Sequence, residues 1–304
     1  MSKIIALLSF VCLFASCTSN TSTTVSSTTD SIGMVAHTTD TIHTTDTVNA
    51  VVADTAAQPA AMTTAYRIVA KKDSIRNIKK YFAGAGLPLI LAVNRVDADN
   101  IGKLDSVVIP ADLTGNVMMY SPFPQSAPFL SGVGKIVYFS YPAQYFAAYE
   151  NGRLVYTGPT NMGRKKDPTP TGLFFTNWKA EHTRSTFNDE WELKWNFNIE
   201  NKEGIGWHQY AMPGHPASHS CLRLTEENAK SLYEFADEWV MKGGKTTSQG
   251  TPVIVFGTYP FGQPKPWYQL ATDPHALDIT VQQLQAETQQ HMAKIMEEKK
   301  RRGK

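Results

Sequence analysis

Between Trp207 and Leu224 the chain reads WHQYAMPGHPASHSCLRL. His208 stands thirteen positions before Cys221, and Arg223 follows two positions after it. Two prolines and a glycine lie between them, so the stretch is a shaped loop rather than a helix. These residue types suit acyl transfer. A thiol of ordinary pKa, about 8.5, is mostly protonated at neutral pH and needs help to become a nucleophile. An imidazole at hydrogen-bond reach takes the proton and later gives it to a leaving amine. A guanidinium two residues on is suited to hold a carboxylate.

Stepping outward, the elements that must position these groups can be read from periodicity. Thr225 is a good N-cap and Glu226 and Glu227 are acids in a first turn. The helix they open carries Ala229, Leu232, Phe235, Ala236, Trp239 and Val240 on one face, which places Cys221 just before a helix N-terminus, where backbone N–H groups lower a thiol pKa. Upstream, Trp191, Leu193, Trp195, Phe197 and Ile199 alternate with polar residues, the signature of a half-buried strand leading to His208. Lys135–Ser140 and Tyr145–Glu150 read as strands, Asn151-Gly152 as a tight hairpin turn and Arg153–Tyr156 as the returning strand. Thr251–Phe256 is apolar throughout and reads as a central strand with Pro252 at its start.

Ser-His-Ser-Cys-Leu-Arg-Leu closely resembles the SHGC(V/I)R(L/M) signature of the L,D-transpeptidases, the YkuD-like catalytic domain, and Met212 to His219 resembles the Leu-Pro-Gly-Tyr-Pro-Ala-Ser-His approach of one branch. The resemblance covers about 133–260 and implies a mainly β fold, a mixed sheet sandwich with one packed helix. It implies a peptidoglycan L,D-transpeptidase acting through a cysteine acyl-enzyme, with Cys221 as nucleophile and His208 as acid and base. Arg223, His219, Ser220 and Ser218 are then the substrate-binding and oxyanion group. No metal or cofactor is implied. Hydrolysis by the same cysteine, as an L,D-carboxypeptidase or crosslink hydrolase, and a non-catalytic peptidoglycan-binding lipoprotein are the alternatives. One position departs from the family: Ser220 replaces glycine, and a serine there is strained if φ must be positive. His215 stands where relatives carry tyrosine and is read as non-catalytic. Asp167 to Gly172 contains a Thr-Pro-Thr-Gly turn like the family's, with a structural task.

The 304 residues allow about two domains, and a net charge of +2 gives no argument for nucleic acid. Lys3 and the apolar run Ile4–Phe14 read as a signal peptide over 1–16, too short to remain as a membrane span. Leu13 to Cys17 resembles a bacterial lipobox, with Phe14 in place of the usual leucine; this implies a lipidated Cys17 and a membrane anchor on the periplasmic side of the cell envelope, an ordinary secretory signal being the alternative. With Cys12 removed and Cys17 lipidated, Cys221 is left as a free thiol, which in an oxidising compartment reads as reactive. The Thr/Ser-rich stretch 17–62 repeats His-Thr-Thr-Asp-Thr and reads as a disordered tether; its His37 and His43 lack a third metal ligand. Segment 66–113 reads strand–helix–helix–strand, weakly resembling a LysM module at Asn94-Arg95 and Val107–Pro110, which would bind peptidoglycan glycan. Residues 120–132, with three prolines, read as a linker. A C-terminal extension, 261–304, reads as a helix from about Val281 to Glu298 with a basic, solvated tail.

Overall fold

The structure is a computed structural model, and it describes residues 65–70, 86–185 and 192–303. The signal peptide, Cys17, the tether and the first helix expected in 66–113 lie outside the described residues.

The described residues form one compact unit. Its centre is a five-stranded sheet in the order β5-β4-β3-β13-β6: β3 (Lys135–Ser140), β4 (Tyr145–Glu150), β5 (Arg153–Pro159), β6 (Gly172–Phe175) and β13 (Pro252–Phe256). β13 is central as its unbroken apolar run demands, parallel to β3 and antiparallel to β6. Asn151 and Gly152 turn β4 into β5, both at positive φ (50° and 81°), which gives the hairpin the twist its strands need.

A second sheet runs β10-β9-β8-β7: β7 (Lys179–Arg184), β8 (Glu192–Glu200), β9 (Ile205–Gln209) and β10 (Leu222–Leu224). The main core lies between the sheets. Val137, Phe139, Phe146 and Val255 meet Phe197, Ile205, Trp207 and Leu222, and the rings of Phe139 and Trp207 stand 6.2 Å apart. The expected mainly β sandwich is what forms, and helix α2 (Glu226–Phe235) packs into it through Ala229, Leu232 and Phe235. Thr225 caps this helix by accepting from the Asn228 N–H. The helix is shorter than its apolar spacing suggests: Ala236 is extended and Val240 begins a small hairpin, β11 (Val240–Lys242) with β12 (Lys245–Ser248).

Two stretches read from sequence as peripheral are packed. The Pro-rich 120–132 buries Phe123, Ala127 and Leu130 against the outer face of the five-stranded sheet. On that face the C-terminal helices, α3 (Val281–Gln289) and α4 (Met292–Arg302), seat Leu284 and Ile295 beside Tyr138, Tyr149, Ile254 and Phe256. The single helix expected there is divided at Gln290-His291. Its basic end is only partly solvated: Lys299 donates to Gly132 O (2.7 Å) and Arg302 to Glu238 O (2.7 Å).

β1 (Tyr66–Ala70) and β2 (Ser106–Pro110) pair antiparallel, and α1 (Gly86–Val93) lies between them in sequence, with Pro88 in its first turn as expected. Leu89, Val93 and Val108 join the main core, so this segment packs on the two sheets instead of standing apart. Asn94 and Arg95, the residues that carried the LysM likeness, are both buried. The Asn94 amide accepts from Val108 N–H (2.8 Å) and donates to Val108 O (2.7 Å) and Ile90 O (2.8 Å). The Arg95 guanidinium lies between the rings of Tyr145 and Trp267, at 4.9 and 5.0 Å, and donates to Ala143 O at 2.9 Å. Asp97 reaches on to the loop before the cysteine, accepting from Met212 N–H at 2.7 Å.

Asn94→Ala strands two buried backbone groups of Val108. It is expected to cost about 2–3 kcal/mol, read as a fall of at least about 4 °C in the thermal midpoint.

Candidate active site

The second sheet has two faces. Trp207, Leu222 and Leu224 point into the core, so residues one step off turn outward. β9 and β10 are parallel with Leu222 beside Trp207 and Arg223 beside His208. One residue earlier, Cys221 stands beside Gly206 and senses its backbone. On the outer face Cys221 and His208 are therefore diagonal neighbours on adjacent strands, with Arg223 completing the second rung. Gly206 is required here: a Cβ would lie 2.4 Å from Phe197 O.

This face floors a cleft of about 470 Å³, and Cys221, His208, Arg223, Ser218 and His219 all line it. Of the sequence-read group, Ser220 is not among the lining residues, and neither is the exposed His215. Among the described residues Cys221 is the free cysteine, partly exposed.

The electrostatics differ from the sequence expectation. Three residues of strand separate Cys221 from α2, so it does not sit at the helix N-terminus. Burial pushes the Cys221 thiol up, only partly opposed by the Gly206 backbone and the Arg223 charge. Burial pulls His208 down to about 4, against the Gln209 carbonyl and helped by Arg223. Imidazole and thiol are both neutral at rest. His208 Nδ1 lies 2.9 Å from Gln209 O. A carbonyl only accepts, so Nδ1 carries the hydrogen and Nε2 keeps its lone pair. Arg223 stacks on Tyr210 at 4.6 Å and donates to Ala211 O at 3.3 Å; no carboxylate pairs with it among the described residues.

The loop carrying the cysteine is braced from one side. Asn161 exchanges backbone bonds with Arg223 (3.1 and 3.0 Å), and Met162 O receives the N–H groups of Ala217 and Ser218. Thr169 of the Thr-Pro-Thr-Gly turn donates to Ser220 O (2.8 Å), a structural task as expected. Ser218 is buried and its hydroxyl is spent on Cys221 O at 2.5 Å, so it shapes the loop. His219 Nε2 receives Arg164 at 2.7 Å, and Arg164 in turn holds Asp167 at 2.6 Å. A guanidinium only donates, so that nitrogen of His219 is an acceptor already engaged. Ser220 has φ of 77°, the conformation its missing glycine would have supplied. Its hydroxyl compensates by donating to Pro168 O at 3.1 Å.

Strand β8 brings residues that sequence reasoning missed. Its alternation is broken at Trp195, which has φ of 55°, and the register to β9 shifts between Lys194 and Phe197. Such a bulge exchanges faces. Leu193 joins Asn196 and Asn198 on the cleft side, while Trp195 turns to Tyr233 of α2, with ring centroids 5.5 Å apart. Trp191 lies outside the described residues. Trp178 and Tyr210 line the same cleft. Polar residues at 196 and 198 on an otherwise aromatic strand were the available signal.

Residues 134–255 match the family model of YkuD, the L,D-transpeptidase catalytic domain, the family its motif implies. No curated protein matches the chain. Among solved structures, an L,D-transpeptidase from Stackebrandtia nassauensis is 24% identical over 42% of this chain and 57% of that one, with a TM-score of 0.35. One from Mycobacterium smegmatis is 20% identical over 40% and 58%, with a TM-score of 0.33. L,D-transpeptidase 1 of Mycobacterium tuberculosis is 21% identical over 41% and 62%, with a TM-score of 0.31. The chain spans less than two thirds of the length of each.

Two outcomes follow from the geometry. Alkylation of Cys221 by iodoacetamide proceeds through the thiolate, so its rate should rise with pH through a midpoint above that of an ordinary thiol; a plateau reaching down to acid pH would indicate a preformed thiolate–imidazolium pair instead. Ser220→Gly should raise the thermal midpoint by about 1–3 °C by relieving a left-handed serine, whereas Ser220→Val, β-branched at the same φ, should lower it.

Proposed function

We propose that the chain is a peptidoglycan L,D-transpeptidase that works through an acyl-enzyme on Cys221. The observation that carries this reading is the shared cleft face: a free thiol and an imidazole with an unprotonated Nε2, diagonal across β9 and β10, inside the segment matching the transpeptidase catalytic domain. The substrate is a stem tetrapeptide, and the bond attacked lies between its third residue and the terminal D-Ala.

His208 Nε2 takes the thiol proton as Sγ bonds to the carbonyl carbon. The negative oxygen is received by backbone N–H groups at Ser220 and Cys221. A left-handed residue such as Ser220 is what lets successive N–H groups converge on one anion. The imidazolium is a strong acid, because burial and Arg223 both oppose its charge. It therefore gives the proton readily to the D-Ala nitrogen, which leaves as the C–N bond breaks. An amine from a second stem then attacks the thioester. His208 removes its proton and returns one to sulfur, leaving a new amide bond and a free thiol. Arg223 holds a substrate carboxylate, and its planar fork suits a two-point contact. No step calls for a metal or cofactor.

Peptidoglycan chemistry places the chain in the cell envelope. No helix among the described residues is long and apolar enough to cross a membrane. The anchoring reading rests on the Cys17 lipobox alone, and glycan binding by 66–113 on its sequence likeness.

Purified muropeptides incubated with the protein and analysed by mass should show crosslinked dimers with loss of D-Ala. Cys221→Ala should abolish product, and His208→Gln should lower the rate by at least about 100-fold. Arg223→Ala should act mainly through a higher KM. Tetrapeptide shortened to tripeptide, with no dimer, would replace transfer by hydrolysis. No change in any muropeptide, with the thiol intact, would remove the enzymatic reading.

A further inference from the structure

Across the second sheet the outer face forms two rungs. Asn198, Gly206 and Cys221 make one; Asn196, His208 and Arg223 make the next. Four of these side chains have evident tasks. Cys221, His208 and Arg223 have been described, and Asn198 is committed to the scaffold: its amide accepts from Asn177 at 2.9 Å and donates to Glu200 O at 3.0 Å. Asn196 is different. It is 6% exposed and lines the cleft, and no hydrogen bond ties its carboxamide to the scaffold among the described residues.

A positive φ at a bulky aromatic residue is costly, and Trp195 carries that cost here. The bulge at Trp195 puts two residues opposite His208 and aims Asn196 into the cleft next to the imidazole. With regular alternation from Leu193, that position would hold a different side chain. A fold that spends strain to present an unpaired donor and acceptor beside the chemistry is presenting them to something that enters the cleft.

We infer that Asn196 is a substrate-positioning residue whose carboxamide pairs with a backbone peptide unit of the donor stem. A carboxamide offers a donor and an acceptor side by side, the complement of a secondary amide, whereas the cleft's cations, Arg223, Arg184 and Lys202, suit carboxylates. Cys221 and Asn196 are two strands apart, about 10 Å. That is about three residues of extended peptide, so the unit read is upstream of the bond attacked. The inference rests on the proposed function for the identity of the peptide.

The test measures binding and turnover separately, with free stem tetrapeptide as probe. Affinity is measured by calorimetry on Cys221→Ala and on Cys221→Ala/Asn196→Leu, and turnover on wild type and Asn196→Leu. Leucine has nearly the same shape and no polar atoms. The expected results are at least a tenfold loss of affinity, a matching rise in KM with kcat changed less than threefold, and an unchanged or higher thermal midpoint. Iodoacetamide should label Cys221 at the wild-type rate in Asn196→Leu. A structural role for Asn196 predicts the opposite stability result, a lower midpoint, and would overturn the inference. Equal affinities in the two backgrounds, or no affinity in either, would also overturn it. If affinity falls tenfold but wild type turns nothing over, peptide positioning stands and the transpeptidase reading fails. Turnover by wild type with an unaltered KM in Asn196→Leu leaves the enzyme and removes the role of Asn196.

Discussion

The parallel pairing of β9 with β10 is the constraint on which the site depends. Leu222 beside Trp207 puts both apolar side chains in the core, and that choice alone sends Cys221, His208 and Arg223 to the other face. A slip of one residue would exchange the faces, burying the thiol's neighbours and exposing Trp207. The register is held from both sides. Asn161 pairs with Arg223 on the far edge of β10, and Gly206 admits the Phe197 carbonyl on the near side. The core thus specifies the active face through packing it does not share with the substrate.

Burial has a second consequence at the same place. The side chains best placed for chemistry are also those least able to carry charge. His208 is held neutral by burial and by the nearby guanidinium, and the thiol is held protonated by the same surroundings. Charge separation between them is therefore unfavourable in the empty cleft, and in the proposed reaction it becomes productive when a carbonyl accepts the electron pair and an amine accepts the proton. A resting thiol of this kind is protected from indiscriminate reaction.

Much of this was legible in the sequence because it is local. The hairpin at Asn151-Gly152, the apolar run of β13, the Thr225 cap and the spacing of His208 to Cys221 each depend on a few adjacent residues. Ser220 was legible too, as a residue in a conformation that disfavours it. What was not legible depends on partners far away in the chain. The bulge at Trp195 is invisible to a pattern that alternates without fault from Leu193 to Ile199. The prolines of 120–132 signal a linker, but the buried Phe123 and Leu130 are explained only by the sheet they cover. Asn94 and Arg95 carry a likeness to a LysM module in sequence, and their burial depends on the distant Val108, Tyr145 and Trp267. The thiol pKa was misjudged because a cap four residues downstream says nothing about the strand that intervenes.

The two C-terminal helices cover a sheet face that carries Tyr138, Tyr145, Tyr149, Ile254 and Phe256. A ribosome delivers these aromatics long before it delivers Leu284 and Ile295. During that interval Phe123, Ala127 and Leu130 cover only part of the face, and the hydroxyl of Tyr138 waits for Thr288, 150 positions later. The packing of that sheet face is thus completed only when 281–302 is in place.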